Sequence, residues 1–139
     1  MAKVTVSEEI AVSSDKLWQL VRDFGNVGWI PGAANVKLEG QGPGMIRFLG
    51  EKNEIHERLD RIDEAGRSIH YSIPVGIPFP VTGYRSTMRV ADAGPGRARL
   101  EWSAEIEPKG VPEAQAVAMI DGMYKTMIGW IRDHLGAKK

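Results

Sequence analysis

Two periodicities divide the chain. Over residues 82–92 and 97–107 apolar and polar positions alternate with period two. Tyr84, Ser86, Met88 and Val90 share one face against Arg85, Thr87 and Arg89; Leu100, Trp102, Ala104 and Ile106 then oppose Arg99, Glu101, Ser103 and Glu105. Residues 3–12, rich in β-branched side chains, open as a strand, and further strand-like runs cover 34–39, 44–50, 53–63 and 67–75. The separators GQGPG, EAG, IPFP and DAGPG are turn signals, so serial strands on short turns predict an antiparallel meander. From Pro112 to Leu135 the period changes to 3.6. Val117, Met119, Ile120, Met123, Tyr124, Met127, Trp130, Ile131 and Leu135 fall on one broad face, with Asp121, Lys125, Arg132 and Asp133 opposite. Pro112 suits a first-turn position and Gly136 a stop. At about 1.5 Å per residue the helix is about 35 Å long and can lie across the whole sheet.

Between the first two strands, Ser13, Ser14 and Asp15 supply N-cap chemistry for a short helix carrying Leu17, Trp18, Leu20 and Val21. Gly25, Gly28, Pro31 and Gly32 interrupt the next stretch, leaving NVGWIPG as an irregular or short helical segment that holds Trp29. Composition narrows the partners. The 139 residues fit one domain, 1–139, and 18 Lys and Arg balance 18 Asp and Glu without blocks. That leaves no electrostatic footprint for nucleic acid or an anionic membrane. No apolar run approaches the roughly 20 residues of a spanning helix, and the opening residues lack a signal-like apolar core, so a cytoplasmic location is expected. Cysteine is absent, which excludes disulfides and thiolate chemistry. His56, His70 and His134 are dispersed and imply no metal; with no phosphate loop, dinucleotide fingerprint or nucleophile elbow, no cofactor is expected either.

The order of elements and the segments EEIAVSSDKLWQLVRDFGNVGWIPG, EIHERLDRID, GYRSTMRV and RLEWSAEIEP resemble the birch-pollen-allergen and START-like (SRPBCC) superfamily over nearly the whole chain. The wording is most similar to its bacterial polyketide cyclase/dehydrase branch, with a more distant likeness to the plant abscisic-acid receptors. The resemblance implies an α+β helix-grip fold: a seven-stranded curved antiparallel sheet, two short helices after the first strand, and a long C-terminal helix closing a hydrophobic cavity. The receptors' anchoring lysine is replaced near Ile30, their gate is missing from GEKN, and their latch reads IPFPV. These departures speak against hormone sensing by gate and latch and favour a guest without a carboxylate.

Within that frame the residues can be weighed individually. Ile55, Glu57 and Leu59 share a strand face, so Glu57 sits on an apolar side; it is either a ligand-touching acid or base, or a buried acid satisfied by a partner. The resemblance also implies an inward glutamate there. Tyr84 and Ser86 present hydroxyls on the uncharged face beside Met88, for a guest or for neighbouring backbone. Tyr71, with Ile69 and Ile73, is expected as cavity wall. Glu101 divides the arguments, since the resemblance places it inward and alternation places it outward. Met119, Met123 and Met127 form an i, i+4, i+8 stripe that fits either an adaptable pocket or plain core. Trp29 either caps an entrance or staples its segment to the sheet. Two functions are compatible with these residues: an enzyme of cyclase or dehydratase type, with Glu57 exchanging a proton and Tyr84 or Ser86 stabilising an enolate, or a non-catalytic carrier or sensor of a small lipid, quinone or aromatic metabolite. A protein-interaction module is the third class.

Overall fold

The computed structural model describes residues 2–33 and 36–137. Seven strands make one antiparallel sheet: β1 (Ala2–Ile10), β2 (Lys37–Glu39), β3 (Ile46–Leu49), β4 (Ile55–Asp63), β5 (Ser68–Val75), β6 (Val81–Asp92) and β7 (Ala98–Pro108). Helix α1 (Ser14–Arg22) follows β1, and α2 (Glu113–Leu135) ends the chain. The spatial order is β1-β7-β6-β5-β4-β3-β2. From β2 to β7 each strand pairs with the next, as the turn signals predict, and β1 closes against β7 from Ala2↔Ile106 to Ile10↔Ala98. The β1–β2 connection therefore spans the sheet from one edge to the other and carries α1 with it.

Alternation sets the faces. Ala98, Leu100, Trp102, Ala104 and Ile106 of β7 are buried, as are Val4 and Val6 of β1 and Tyr84, Ser86, Met88 and Val90 of β6. Arg99, Glu101 and Glu105 face outward, where Glu101 stands opposite Arg89 and Ser7, and Lys3 opposite Glu105. Strand β4 is irregular, with register shifts between His56 and Arg58 and between Leu59 and Arg61.

Ser13 caps α1 by accepting from the Lys16 amide, and Leu17, Trp18, Leu20 and Val21 are its buried side. The aromatic segment after it consists of two linked turns, in which Ile30 N–H donates to Val27 O and Ala33 N–H to Ile30 O; these occupy the place of the expected second short helix. Pro112 is the N-cap residue of α2 and not part of its first turn. At the other end Gly136 adopts φ 65°, and the amides of Gly136 and Ala137 close back on Asp133 O and Arg132 O, the paired C-terminal bonds that glycine in the left-handed region permits. Arg132 also ties α2 to β1, pairing with Glu8 at 2.8 Å and donating to Glu9 O at 2.7 Å. The line Ala116, Ile120, Tyr124, Ile128 and Ile131 is fully buried against the sheet.

Candidate functional site

A cavity of about 280 Å³ lies between the inner face of the sheet and α2. Its walls come from nearly every element: Trp29 and Ile30 from the turn segment, Leu49 and Ile55 from β3 and β4, Tyr71 and Ile73 from β5. Phe79 of the β5–β6 connection, Trp102 of β7, and Met123, Met127 and Trp130 of α2 complete them. Larger hollows of about 570 and 580 Å³ occur elsewhere, one on the polar outer face of the sheet and one beside Pro31 and Gly50. The inner cavity combines a position between helix and sheet with aromatic walls, the usual composition of a small-molecule site.

One end of the cavity is charged. Arg47 and Glu57 stand directly opposite each other on β3 and β4, with side chains only 6% and 12% exposed. Both Nε and the NH2 nitrogen of Arg47 reach the same carboxylate oxygen, Glu57 Oε1, at 2.7 Å. Its remaining nitrogen donates to Phe24 O at 2.9 Å, and the guanidinium lies 3.9 Å from the Phe24 ring centroid. Such a buried pair holds only when its geometry and remaining hydrogen bonds are good. Among the described residues, Glu57 Oε2 makes no hydrogen bond.

Beside the ion pair lies a closed hydroxyl network. Trp102 Nε1–H is shared between Tyr71 Oη at 3.1 Å and Ser86 Oγ at 3.0 Å. Ser86 Oγ donates to Ser103 O at 2.9 Å and lies 3.0 Å from Tyr124 Oη; Tyr124 in turn bonds Tyr84, and Tyr84 contacts Tyr71 at 3.4 Å. The polarity is fixed by counting. A carbonyl can only accept, so the single Ser86 proton goes to Ser103 O, Tyr124 donates to Ser86, Tyr84 donates to Tyr124, and Tyr71 faces Tyr84 over the longest contact. Burial, the largest cause in each case, pushes all three tyrosine hydroxyls above their ordinary pKa; the Glu57 charge adds to the shift at Tyr71, and the neighbouring tyrosines add to it at Tyr84. Ring packing fixes the arrangement: Trp102 stacks on Tyr124 at 4.6 Å and meets Trp29 edge-on at 6.3 Å.

The sequence candidates separate accordingly. Trp29, Glu57, Tyr71, Tyr84, Met123 and Met127 line the cavity. Trp29 does so while packing edge-on against Trp102, which is the stapling arrangement. Ser86 lies behind the wall, its oxygen spent on Trp102, Tyr124 and Ser103. Met88 is buried among core residues between Ile69 and Trp102 in the register and is not part of the wall. Glu101 is exposed on the outer face, so alternation and not the resemblance gives its position. Met119 is 43% exposed. Each of the three methionines precedes a residue of the buried helix line by one position and is turned about 100° from it; Met123 and Met127 still meet the cavity, whereas Met119 faces solvent. Trp102, on the apolar face of its strand by alternation, also lines the cavity, while Arg47 and Tyr124 are not among the sequence candidates. An arginine inside the apolar run IRFL, one strand before an inward glutamate, was the available signal for Arg47.

The fold and this cavity define a helix-grip protein built to hold a hydrophobic ligand. A family model described as polyketide cyclase / dehydrase and lipid transport matches residues 1–136, and the chain belongs to that family. Among solved structures it is similar to an uncharacterised protein from Bacillus thuringiensis, with TM-score 0.83 and 30% identity over 96% of this chain and 98% of that one. It is likewise similar to XoxI from Bacillus cereus, with TM-score 0.82 and 30% identity over 96% and 95%. Norcoclaurine synthase from Thalictrum flavum, solved with dopamine and hydroxybenzaldehyde, shares the fold at TM-score 0.70 and 20% identity over 96% of this chain and 86% of that one. A comparison with curated proteins finds no match. Among the described residues no helix is long and apolar enough to cross a membrane, and no cluster of His, Asp and Glu could hold a metal ion.

Proposed function

We propose that this protein binds one small aromatic, polyketide-like guest between the sheet and α2, with the guest's polar end toward Arg47 and Glu57. The observation that carries this reading is the aromatic-walled void of about 280 Å³ with a single charged pair at its end. At roughly 30 Å³ per water the void equals about nine waters, which admits a guest of about ten non-hydrogen atoms, one or two rings in size. A long acyl chain exceeds it. Trp29, Trp102 and Trp130 in the wall make intrinsic fluorescence a direct reporter. Titration with small bicyclic aromatics should quench it saturably, and Met123→Trp should abolish the effect while lowering stability by less than the roughly 1–3 kcal/mol typical of overpacking a dense core. Loss of folding without a specific change in affinity would return Met123 to ordinary core.

A second reading, turnover by cyclisation or dehydration, is favoured by Glu57 Oε2, which has no partner among the described residues and can accept a proton from a guest. The Tyr84 proton is committed to Tyr124, so Tyr71 is the better placed hydroxyl to polarise a carbonyl. If Glu57 is a general base, Glu57→Gln should keep affinity within several-fold and lower turnover by about 10²–10⁴-fold. A carrier or sensor has no chemical step to lose, and the same substitution should then alter affinity alone.

A further inference from the structure

Most of the hydrogen-bonding capacity of the cavity wall is spent within the wall itself. Ser86, Tyr84 and Tyr124 each commit their one proton inside the wall, in a relay that ends on the Ser103 carbonyl. The Trp102 N–H is shared between two wall oxygens. Arg47 donates from Nε to Glu57 and from one terminal nitrogen to Phe24 O, with its other terminal nitrogen 2.7 Å from Glu57 Oε1, which uses at most three of its five N–H bonds. On the accepting side, Glu57 holds one carboxylate oxygen with Arg47 and leaves Oε2 without a partner among the described residues, in a side chain that lines the cavity. The unspent polar capacity of the cavity is therefore concentrated at the ion pair: one carboxylate oxygen that can only accept, beside the remaining Arg47 N–H bonds. Hydrogen bonds to such a group are worth more than neutral ones, and leaving it unmet beside a bound apolar ring is costly.

We infer that the cavity selects guests that donate to it: neutral ring compounds bearing a hydroxyl, in preference to the ketone of the same skeleton. Neutrality is a consequence of the pair itself. Arg47 already balances Glu57, so an ammonium guest loses its hydration and meets a guanidinium beside its carboxylate, while a carboxylate guest adds a second negative charge. The hydroxyl preference comes from the pair: a hydroxyl can donate to Glu57 Oε2 while accepting from a remaining Arg47 N–H, whereas a ketone can only accept and leaves the carboxylate oxygen unmet, and the closed relay offers it no uncommitted tyrosine or serine donor except Tyr71 across its 3.4 Å contact. This inference rests on the proposed binding of a small aromatic guest and names its polar chemistry.

The test is a matched series of similar size, indane, 1-indanol, 1-indanone and 1-aminoindane, titrated into the intact protein by tryptophan fluorescence and calorimetry at neutral pH. The alcohol should bind at least about tenfold tighter than the ketone and the hydrocarbon, and tighter than the ammonium. In Glu57→Gln, whose amide both donates and accepts, the alcohol-to-ketone ratio should shrink to within about threefold while indane affinity holds. Should that variant not fold, the wild-type ratio decides alone. Binding of indane with the ketone equal to or tighter than the alcohol would overturn the inference and leave the cavity reading intact. An ammonium that binds tightest would overturn its neutrality. Failure of all four to bind would overturn the cavity reading, and this inference with it.

Discussion

Raising the pH should unfold this protein through its tyrosines. The chain has three, and Tyr71, Tyr84 and Tyr124 are all in the cavity network, exposed by only 2%, 3% and 0%. In the unfolded chain each loses its proton near pH 10, whereas burial raises all three in the folded state. Above pH 10 the native state thus keeps protons that the unfolded state has released. Stability is complete below about pH 10 and falls as pH rises toward the folded-state values, at up to about 1.4 kcal/mol per pH unit for each group. While all three stay protonated in the native state the slope approaches about 4 kcal/mol per unit, steep beside the roughly 5–15 kcal/mol that holds a domain of this size together. Tyrosinate absorbance and circular dichroism followed from pH 8 to 13 should change together, in one steep step above about pH 11. Tyr71→Phe should lower the slope of stability against pH by about a third. A gradual ionisation centred near pH 10 with circular dichroism unchanged would refute the reasoning, because it would mean that water reaches the hydroxyls in the native state.

Arg47→Met leaves Glu57 without its counter-charge and should destabilise by about 3–5 kcal/mol; urea unfolding should show much of the loss recovered when Glu57→Gln is added. Glu101→Gln and Met119→Gln, both on exposed side chains, should shift stability by no more than about 0.5 kcal/mol each and leave guest affinity unchanged in the fluorescence titration. Gly76→Ala should lower the melting temperature, with a loss above about 1 kcal/mol: Gly76 has φ 77°, and a Cβ there would lie 1.8 Å from Glu54 O.

Much of this protein was determined by local pattern. Period-two alternation in β6 and β7 placed every residue from Tyr84 to Val90 and from Arg99 to Ile106 on its correct face, because successive strand side chains project to opposite sides whatever the neighbours are. The same rule put Glu101 outside against the implication of resemblance. The 3.6 period and the flanking Pro112 and Gly136 located α2 to within a residue, since its termini are governed by local backbone chemistry. Inward placement of Glu57, Tyr71 and Tyr84 was legible for the same reason.

Tertiary structure decided what those inward groups meet. Arg47 becomes the partner of Glu57 only through the β3–β4 register, a pairing across ten residues of sequence that no periodicity announces. The hydroxyl relay joins β5, β6, β7 and α2 over separations of up to 40 residues, so the sequence could name its hydroxyls without showing that their protons are already committed. Met119, Met123 and Met127 are equivalent by spacing. They differ because the cavity lies against the stretch of α2 that carries Met123 and Met127 and does not reach Met119, and where that space falls is set by the long-range pairing and packing of the whole sheet.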